Sequence, residues 1–375
     1  MISYTLIENE FELEKFCAIL RNTSILMIDT EFVKTRTYFA SLSILQIFDG
    51  KSVYIIDAIK IKNLDLIWLT LSNPDIRKVF HSSSEDLDII LNLSPYDMTN
   101  IVDTQIMAVF LGLGLSVGFS KLCSQLLNID IDKSESRSNW LQRPLSESQL
   151  SYAASDVYYL YPIYQKLNYS SIERELDRLV LSECTRLLEA KKQTRNSNVE
   201  YLKFNGLWKL QPFELFLLQK LAKWRVEEAM KRNIAVNFIL REELLFKIIK
   251  LESFSINKLK KCGLNLNEMK HHGKQIITIL SSMKDACVSK YPKKVFKIDD
   301  TPKYKKTYKE ILKKLIELSE EYEIPREALF SKKMIKQLIE WAWLDDYEQT
   351  NLPVLIQSWR FDIVYKSVRN ILEQN

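Results

Sequence analysis

Three short stretches of this sequence concentrate side chains that suit a hard cation. I-D-T-E-F at residues 28–32 places Asp29 and Glu31 two positions apart. H-S-S-S-E-D-L at 81–87 carries Glu85 and Asp86, with Asp88 just beyond. S-Y-A-A-S-D-V at 151–157 carries Tyr152 and Asp156, and V-D-T-Q at 102–105 adds Asp103 as a fourth candidate. Divalent cations such as Mg²⁺ take oxygen ligands, and phosphoryl transfer uses such cations on both the attacking and the leaving oxygen. The chemistry these residues suit is metal-dependent phosphodiester hydrolysis, that of a nuclease. Histidine is scarce, with only His81, His271 and His272 in 375 residues. A mechanism with two separate histidines as acid and base is therefore hard to build, whereas metal-activated water needs none.

These residues require particular elements around them. Ser24 to Phe32 reads as a buried strand, because Ile25, Leu26, Met27 and Ile28 stand in a row. Asp29 and Glu31 then leave one face of that strand at its end. Two further strands follow at 42–48 and 53–58, joined by an Asp49-Gly50 turn. Helix at 62–72, strand at 78–80, helix at 84–93, strand at 100–103 and helices at 105–111 and 119–128 complete an alternating pattern. Glu85, Asp86 and Asp88 share the start of one helix, where acids also favour the helix dipole, so helical geometry leaves open which faces a metal. Ser146-Glu147-Ser148-Gln149 is a capping box flanked by Leu145 and Leu150, and it starts a helix expected to reach about Leu167, kinked near Pro162. Tyr152 and Asp156, four apart, share a face of that helix.

Composition narrows the class. With 46% hydrophobic residues and 11% aromatic residues, a 375-residue chain builds two or three packed domains. Five widely spaced cysteines without a C-x-x-C fit a reducing cytosol better than a disulfide framework or a zinc ribbon. Glu8, Glu10, Glu12 and Glu14 stand where a signal peptide would be basic and then apolar. No apolar run reaches the length of a membrane span. Residues 1–200 hold 20 basic and 26 acidic side chains, while residues 201–375 hold 33 and 22. An acidic half would gather cations, and a basic half would hold a polyanion. The polar run 191–200 reads as a linker, 211–283 as helical, 291–302 as a second break, and the remainder as helical again. The two helical segments are each the size of a small bundle, but no register relates them convincingly as a repeat.

The acids and Tyr152, in this order, resemble the DEDD exonuclease superfamily in its tyrosine-bearing branch. I-D-T-E-F-V-K-T-R-T-Y-F-A-S-L-S-I-L-Q-I-F-D from Ile28, D-K-S-E-S-R-S-N-W-L-Q-R-P-L-S at 132–146 and A-V-N-F-I-L-R-E-E at 235–243 are similar to the ribonuclease D family. The resemblance runs along almost the whole chain. It implies an α/β ribonuclease H-like exonuclease domain, a mixed sheet with helices, over 1–195. Two small all-α HRDC-like domains would follow at 205–290 and 300–375. It selects Asp86 over its neighbours and leaves Asp103 as a structural acid. Asp29, Glu31, Asp86 and Asp156 would then hold two divalent metal ions, Mg²⁺ or Mn²⁺, about 3.5–4 Å apart. Tyr152 would help place the attacking water, and nucleoside 5′-monophosphates would leave from a 3′ end.

Substrate contacts are expected from basic residues with an aromatic among them. Lys133, Arg137 and Arg143 surround Trp140, and Lys34 and Arg36 follow the first motif. Cations pair with phosphates while an aromatic ring stacks a base. His81 reads as a buried, hydrogen-bonded histidine. The expected partner is RNA, with tRNA precursors carrying a single-stranded 3′ end as the implied substrate. The protein is expected to be a cytoplasmic monomer without membrane association. The same hydrolytic residues also suit a 3′-5′ exodeoxyribonuclease, and a nucleic-acid-binding protein with an inactive nuclease fold is the alternative from another class.

Overall fold

A computed structural model describes residues 2–193, 197–283, 286–344 and 352–373. Thr194, Arg195 and Asn196 of the expected linker lie outside the described residues. The chain divides into two compact units that do not follow sequence order. One comprises residues 1–33, 41–192 and 298–375, and the other residues 34–40 and 193–297.

The first unit is built on a six-stranded mixed sheet. Its strands are β1 (Tyr4–Ile7), β2 (Ile25–Val33), β3 (Ser41–Phe48), β4 (Val53–Asp57), β5 (Arg77–Phe80) and β6 (Ile101–Asp103), in the order β1-β4-β3-β2-β5-β6. β2, β3 and β4 form the antiparallel meander expected from the sequence. At its turn the Asp49 side chain accepts hydrogen bonds from the backbone of Lys51 and Ser52, and Gly50 takes φ +91°. β5 and β6 extend the sheet in parallel fashion beyond β2. β1 adds a parallel edge to β4 that the sequence pattern did not reveal. The acid-rich N-terminal stretch opens α1 (Glu10–Leu20), capped by Asn9, with Leu13, Phe16, Cys17 and Leu20 buried as one stripe.

The helices of this unit are α2 (Asp65–Ser72), α3 (Ser84–Leu93), α4 (Thr104–Phe110), α5 (Phe119–Leu127), α6 (Glu147–Glu173) and α7 (Asp177–Gln193). The capping box forms at the start of α6, where Gln149 N donates to Ser146 Oγ and Ser146 N donates to Gln149 Oε1. This helix passes through Pro162 and continues to Glu173, beyond the end expected near Leu167. Ala153, Ala154, Val157, Leu160 and Ile163 are buried along it. Alanines at 153 and 154 let α6 lie close to the sheet.

The second unit contains α8 (Pro212–Arg232), α9 (Val236–Ile239), α10 (Glu242–Ile248), α11 (Ile256–Lys261), α12 (Leu266–Glu268) and α13 (Lys274–Ser281). Leu215, Leu218, Leu221, Ile239, Leu245 and Ile276 belong to its buried core. The segment between β2 and β3 belongs to this unit as well. Ala235 N donates to Arg36 O at 2.8 Å, Phe39 N donates to the Asn233 side chain at 2.9 Å, and Tyr38 packs on the core.

The C-terminal helices α14 (Tyr304–Glu321), α15 (Arg326–Leu329), α16 (Lys332–Trp343) and α17 (Lys366–Glu373) group with the sheet. They also supply the repeat register that the sequence hid. After α8 the chain turns at Asn233 (φ 48°), and Ile234 N returns to Ala229 O before α9. After α14 it turns at Glu323 (φ 52°), and Ile324 N returns to Ser319 O before α15. In each copy a buried arginine clamps carbonyls of the short helix. Arg225 Nε donates to Leu240 O in the first copy, and Arg360 donates to Ala328 O and Leu329 O in the second.

Arg360 does more than Arg225. Its Nη1 lies 2.6 Å from a Glu183 carboxylate oxygen on α7, with side-chain exposures of 3% and 12%. Trp359 packs on Phe110, and the Ser358 and Ser182 hydroxyls hydrogen-bond. Removing Arg360 leaves Glu183 with Arg186, at 2.6 Å, as its remaining cation, and leaves the buried Ala328 and Leu329 carbonyls without their donor. Arg360→Ala should therefore lower unfolding stability by about 2–6 kcal/mol, at about 1–3 kcal/mol for each buried carbonyl left unmet. Urea titration checks this, and a loss no larger than that of an exposed Arg→Ala change would remove Arg360 from this role.

Candidate active site

β2 outruns its neighbour β5. The parallel pairing ends at Met27–Val79, so Asp29, Thr30 and Glu31 project past the end of β5. Open space at the carboxyl ends of adjacent parallel strands is where α/β folds place ligands. There Asp29, Thr30, Glu31, Asp86, Tyr152 and Asp156 line a cleft of about 390 Å³. One carboxylate oxygen each from Asp29, Glu31 and Asp156 lie within 4.8 Å of one another. Asp86 lines the same cleft but lies outside that tight group of three.

Each side chain has a local reason for its place. Asp86 sits in the first turn of α3, is 7% exposed, and accepts a hydrogen bond from the Thr30 hydroxyl. Of the acids that competed with it in the sequence, Glu85 is exposed at the cleft and Asp88 pairs with Lys191 Nζ at 2.7 Å. Asp103 fixes the turn that launches α3. Its carboxylate accepts from Ser82 N, Ser83 N and Ser83 Oγ, and also caps α4 through Gln105 N. Ser82 is held there at φ 59°, an unusual backbone for a residue with a side chain. His81 Nδ1 lies 3.0 Å from the Thr104 hydroxyl, and burial keeps its pKa below the usual imidazole range. It is the hydrogen-bonded histidine expected from the sequence. Thr30 carried no sequence signal beyond lying between two acids.

Electrostatics set the character of the cleft. Burial first, then the nearby Asp86, Asp156 and Glu31 charges, push Asp29 well above the carboxylate range. Burial together with Asp156 and Asp86 raises Glu31 to about 9. Burial raises Asp156 to about 7, opposed by the Tyr152 hydroxyl hydrogen bond. It raises Asp86 to about 6, opposed by Thr30. Tyr152 rises above the ordinary phenol value, through burial and then the Asp156, Glu31 and Asp29 charges. Such a set of oxygen donors, mutually repulsive and desolvated, fits hard divalent cations.

The expected substrate residues separate. Lys133 is exposed and lines the cleft. Arg137 is exposed on the same segment. Lys34 and Arg36 are exposed in the segment that belongs to the second unit. Trp140 requires correction as a base-stacking residue. It is 2% exposed and packs beside Tyr152 with ring centroids 6.1 Å apart, so no face is free for a base. Arg143 is likewise internal. Its guanidinium takes both Asp57 oxygens, at 2.6 and 2.8 Å, and reaches Trp140 O at 2.8 Å. Together Trp140 and Arg143 anchor the segment that carries Lys133, instead of meeting substrate.

The sheet order and this acid cluster with its tyrosine define an exonuclease of the tyrosine-bearing DEDD class. Family models agree along the chain: "3'-5' exonuclease" matches residues 4–170, "HRDC domain" 214–280, and "Ribonuclease D, C-terminal HRDC domain" 302–368. Ribonuclease D of Serratia proteamaculans is 35% identical over 372 residues, covering 99% of this chain and 100% of that protein. Ribonuclease D of Haemophilus influenzae is 37% identical, covering 97% and 92%. The crystal structure of Escherichia coli RNase D, an exoribonuclease involved in structured RNA processing, superposes with a TM-score of 0.94 at 34% identity, covering 100% of this chain and 99% of that one. The chain belongs to the ribonuclease D family of 3′-5′ exoribonucleases.

The raised carboxyl pKa values have a defined sign. Each group binds its proton more tightly folded than unfolded, so the stability it contributes is present below about pH 4 and is lost as pH rises through the folded value. For Asp156 that loss runs up to about pH 7. Asp156→Asn should raise the melting temperature of the metal-free protein at pH 8 and leave it nearly unchanged at pH 4. Calorimetry at the two pH values checks this, and a melting temperature lowered at pH 8 would contradict the assigned repulsion. Because ligands must lose protons, Mn²⁺ affinity should rise between pH 6 and 9 with proton release on binding.

Proposed function

We propose that this chain trims the 3′ ends of structured RNA, with tRNA precursors as the substrate class. It works in the cytoplasm as a monomer, by two-metal-ion hydrolysis that releases nucleoside 5′-monophosphates. The observation that carries this reading is the cluster of Asp29, Glu31 and Asp156, with Tyr152 and Asp86 on the same cleft. These four acids would hold Mg²⁺ or Mn²⁺, all through oxygen. Bound there, such ions lower the pKa of a water nucleophile and neutralise charge on the leaving oxygen.

The chain's own groups divide the remaining work. Burial and the surrounding acids raise the Tyr152 pKa in the metal-free protein. Its hydroxyl, which both donates and accepts hydrogen bonds, would orient or help deprotonate the attacking water. Lys133 is placed to meet a phosphate at the cleft. Residues 201–300 hold 20 basic and 10 acidic side chains, which suits a grip on the RNA body that weakens as salt rises. The family shared with an exoribonuclease of structured RNA supports that assignment of substrate. No helix among the described residues is long and apolar enough to cross a membrane.

Asp29→Ala should abolish Mg²⁺-dependent release of mononucleotides, a loss beyond about 100-fold, and leave RNA binding largely intact. Matched RNA and DNA oligomers, resolved by product size, check substrate class at the same time. Unchanged activity in the variant would overturn the site, and equal rates on DNA would overturn the ribonuclease reading. Tyr152→Phe keeps the ring and removes the hydroxyl. A fall in kcat of about 10²–10⁴-fold at constant KM is expected, whereas unaltered kcat would leave Tyr152 a packing residue.

A further inference from the structure

Gln46 is a polar residue buried in the central sheet. It lies on β3, directly opposite Asp29 of β2 in the antiparallel register, with Ile55 of β4 on its other side. Its relative exposure is 0%. Neither its amide nitrogen nor its amide oxygen has a hydrogen-bond partner. A primary amide buried without partners costs about 1–3 kcal/mol for each unmet group. A hydrophobic side chain of the same length would fill the position at no such cost, as Ile44 and Phe48 do on the same face of the strand.

The location says what the amide is for. Directly opposed residues of an antiparallel pair present their side chains on one face, with Cβ atoms about 4.5–5.5 Å apart. A glutamine side chain spans that gap and reaches a carboxylate. Asp29 is the ligand that the other acids crowd most, and it lines the cleft directly opposite Gln46 in the register.

We infer that Gln46 is a positioning residue for Asp29: with a cation bound, its buried amide would donate to an Asp29 carboxylate oxygen and so hold that ligand in place. The inference rests on the reading of Asp29 as a metal ligand. It explains why an amide, and not an apolar side chain, lies in the sheet opposite Asp29. Outer partners of this kind orient a ligand, and losing one typically weakens metal affinity or activity 10–100-fold.

The test separates packing from positioning. Mn²⁺ affinity is measured by calorimetric titration of the full-length protein without RNA, beside the melting temperature, for Gln46→Met, Gln46→Asn and Asp29→Asn. Gln46→Met removes the unpaired amide at constant volume and should keep or raise the melting temperature. Gln46→Asn keeps an amide but opens a cavity and should lower it. Positioning predicts the opposite order in affinity: wild type tightest, Asn next, and Met weakened at least tenfold, with kcat falling in step and KM for RNA unchanged. If affinity follows the stability order, or if the Met variant binds Mn²⁺ within twofold of wild type, Gln46 is packing alone. If Asp29→Asn itself leaves Mn²⁺ binding unchanged, the metal reading fails instead.

Discussion

Carboxylates that repel one another, held close where water is scarce, are the constraint on which the rest of this fold depends. Asp29, Glu31 and Asp156 place oxygens within 4.8 Å, and burial is the leading cause of every raised carboxyl pKa around them. Nothing local favours this arrangement. It persists because β2 pairs with β5 from Ile25 to Met27 and with β3 from Met27 to Val33, and because α6 is buried along its length at Ala153, Val157, Leu160 and Ile163. Stability that would otherwise be spread through the unit is concentrated at one point of strain, where a cation relieves it.

Several features that look ornamental serve this point. The Asp103 carboxylate ties down the turn at Ser82 and Ser83, which sets the first turn of α3 and so the height of Asp86. Arg143 holds the 132–146 segment through Asp57 and the Trp140 carbonyl. Trp140 in turn packs beside Tyr152. Ions and aromatics that face inward here act on the chemistry by holding something else still.

Much of this was legible in the sequence, and the physical reasons differ by element. Four apolar residues before Asp29 gave the strand, and period two gave Glu31 the same face. The capping box at Ser146 fixed the phase of α6, hence the pairing of Tyr152 with Asp156. Local patterns reached their limit where long-range contacts decide. β1 is four residues long and paired on one side, so it has no signature of its own. Glu85, Asp86 and Asp88 are equivalent until α3 is packed, and only then is Asp86 the buried one. Trp140 and Arg143 looked like substrate residues because a buried anchor and an exposed platform use the same side chains. Gln46 read as one position of an apolar strand until the register set it opposite Asp29.

The ion pair between Arg360 and Glu183 has a consequence for how the protein is made. The two residues are 177 positions apart, and the arginine comes second. During synthesis the sheet and its acidic cleft emerge early, together with α7 and its acid, while the second guanidinium that pairs with Glu183, that of Arg360, is still to be translated. Until then Glu183 has Arg186 of the same helix as its partner, and the face formed by Phe110 and Ser182 lacks its cover. The order of translation thus delays completion of the unit that carries the cleft until residues 298–375 have emerged, so a product ending before Arg360 would be a less stable enzyme.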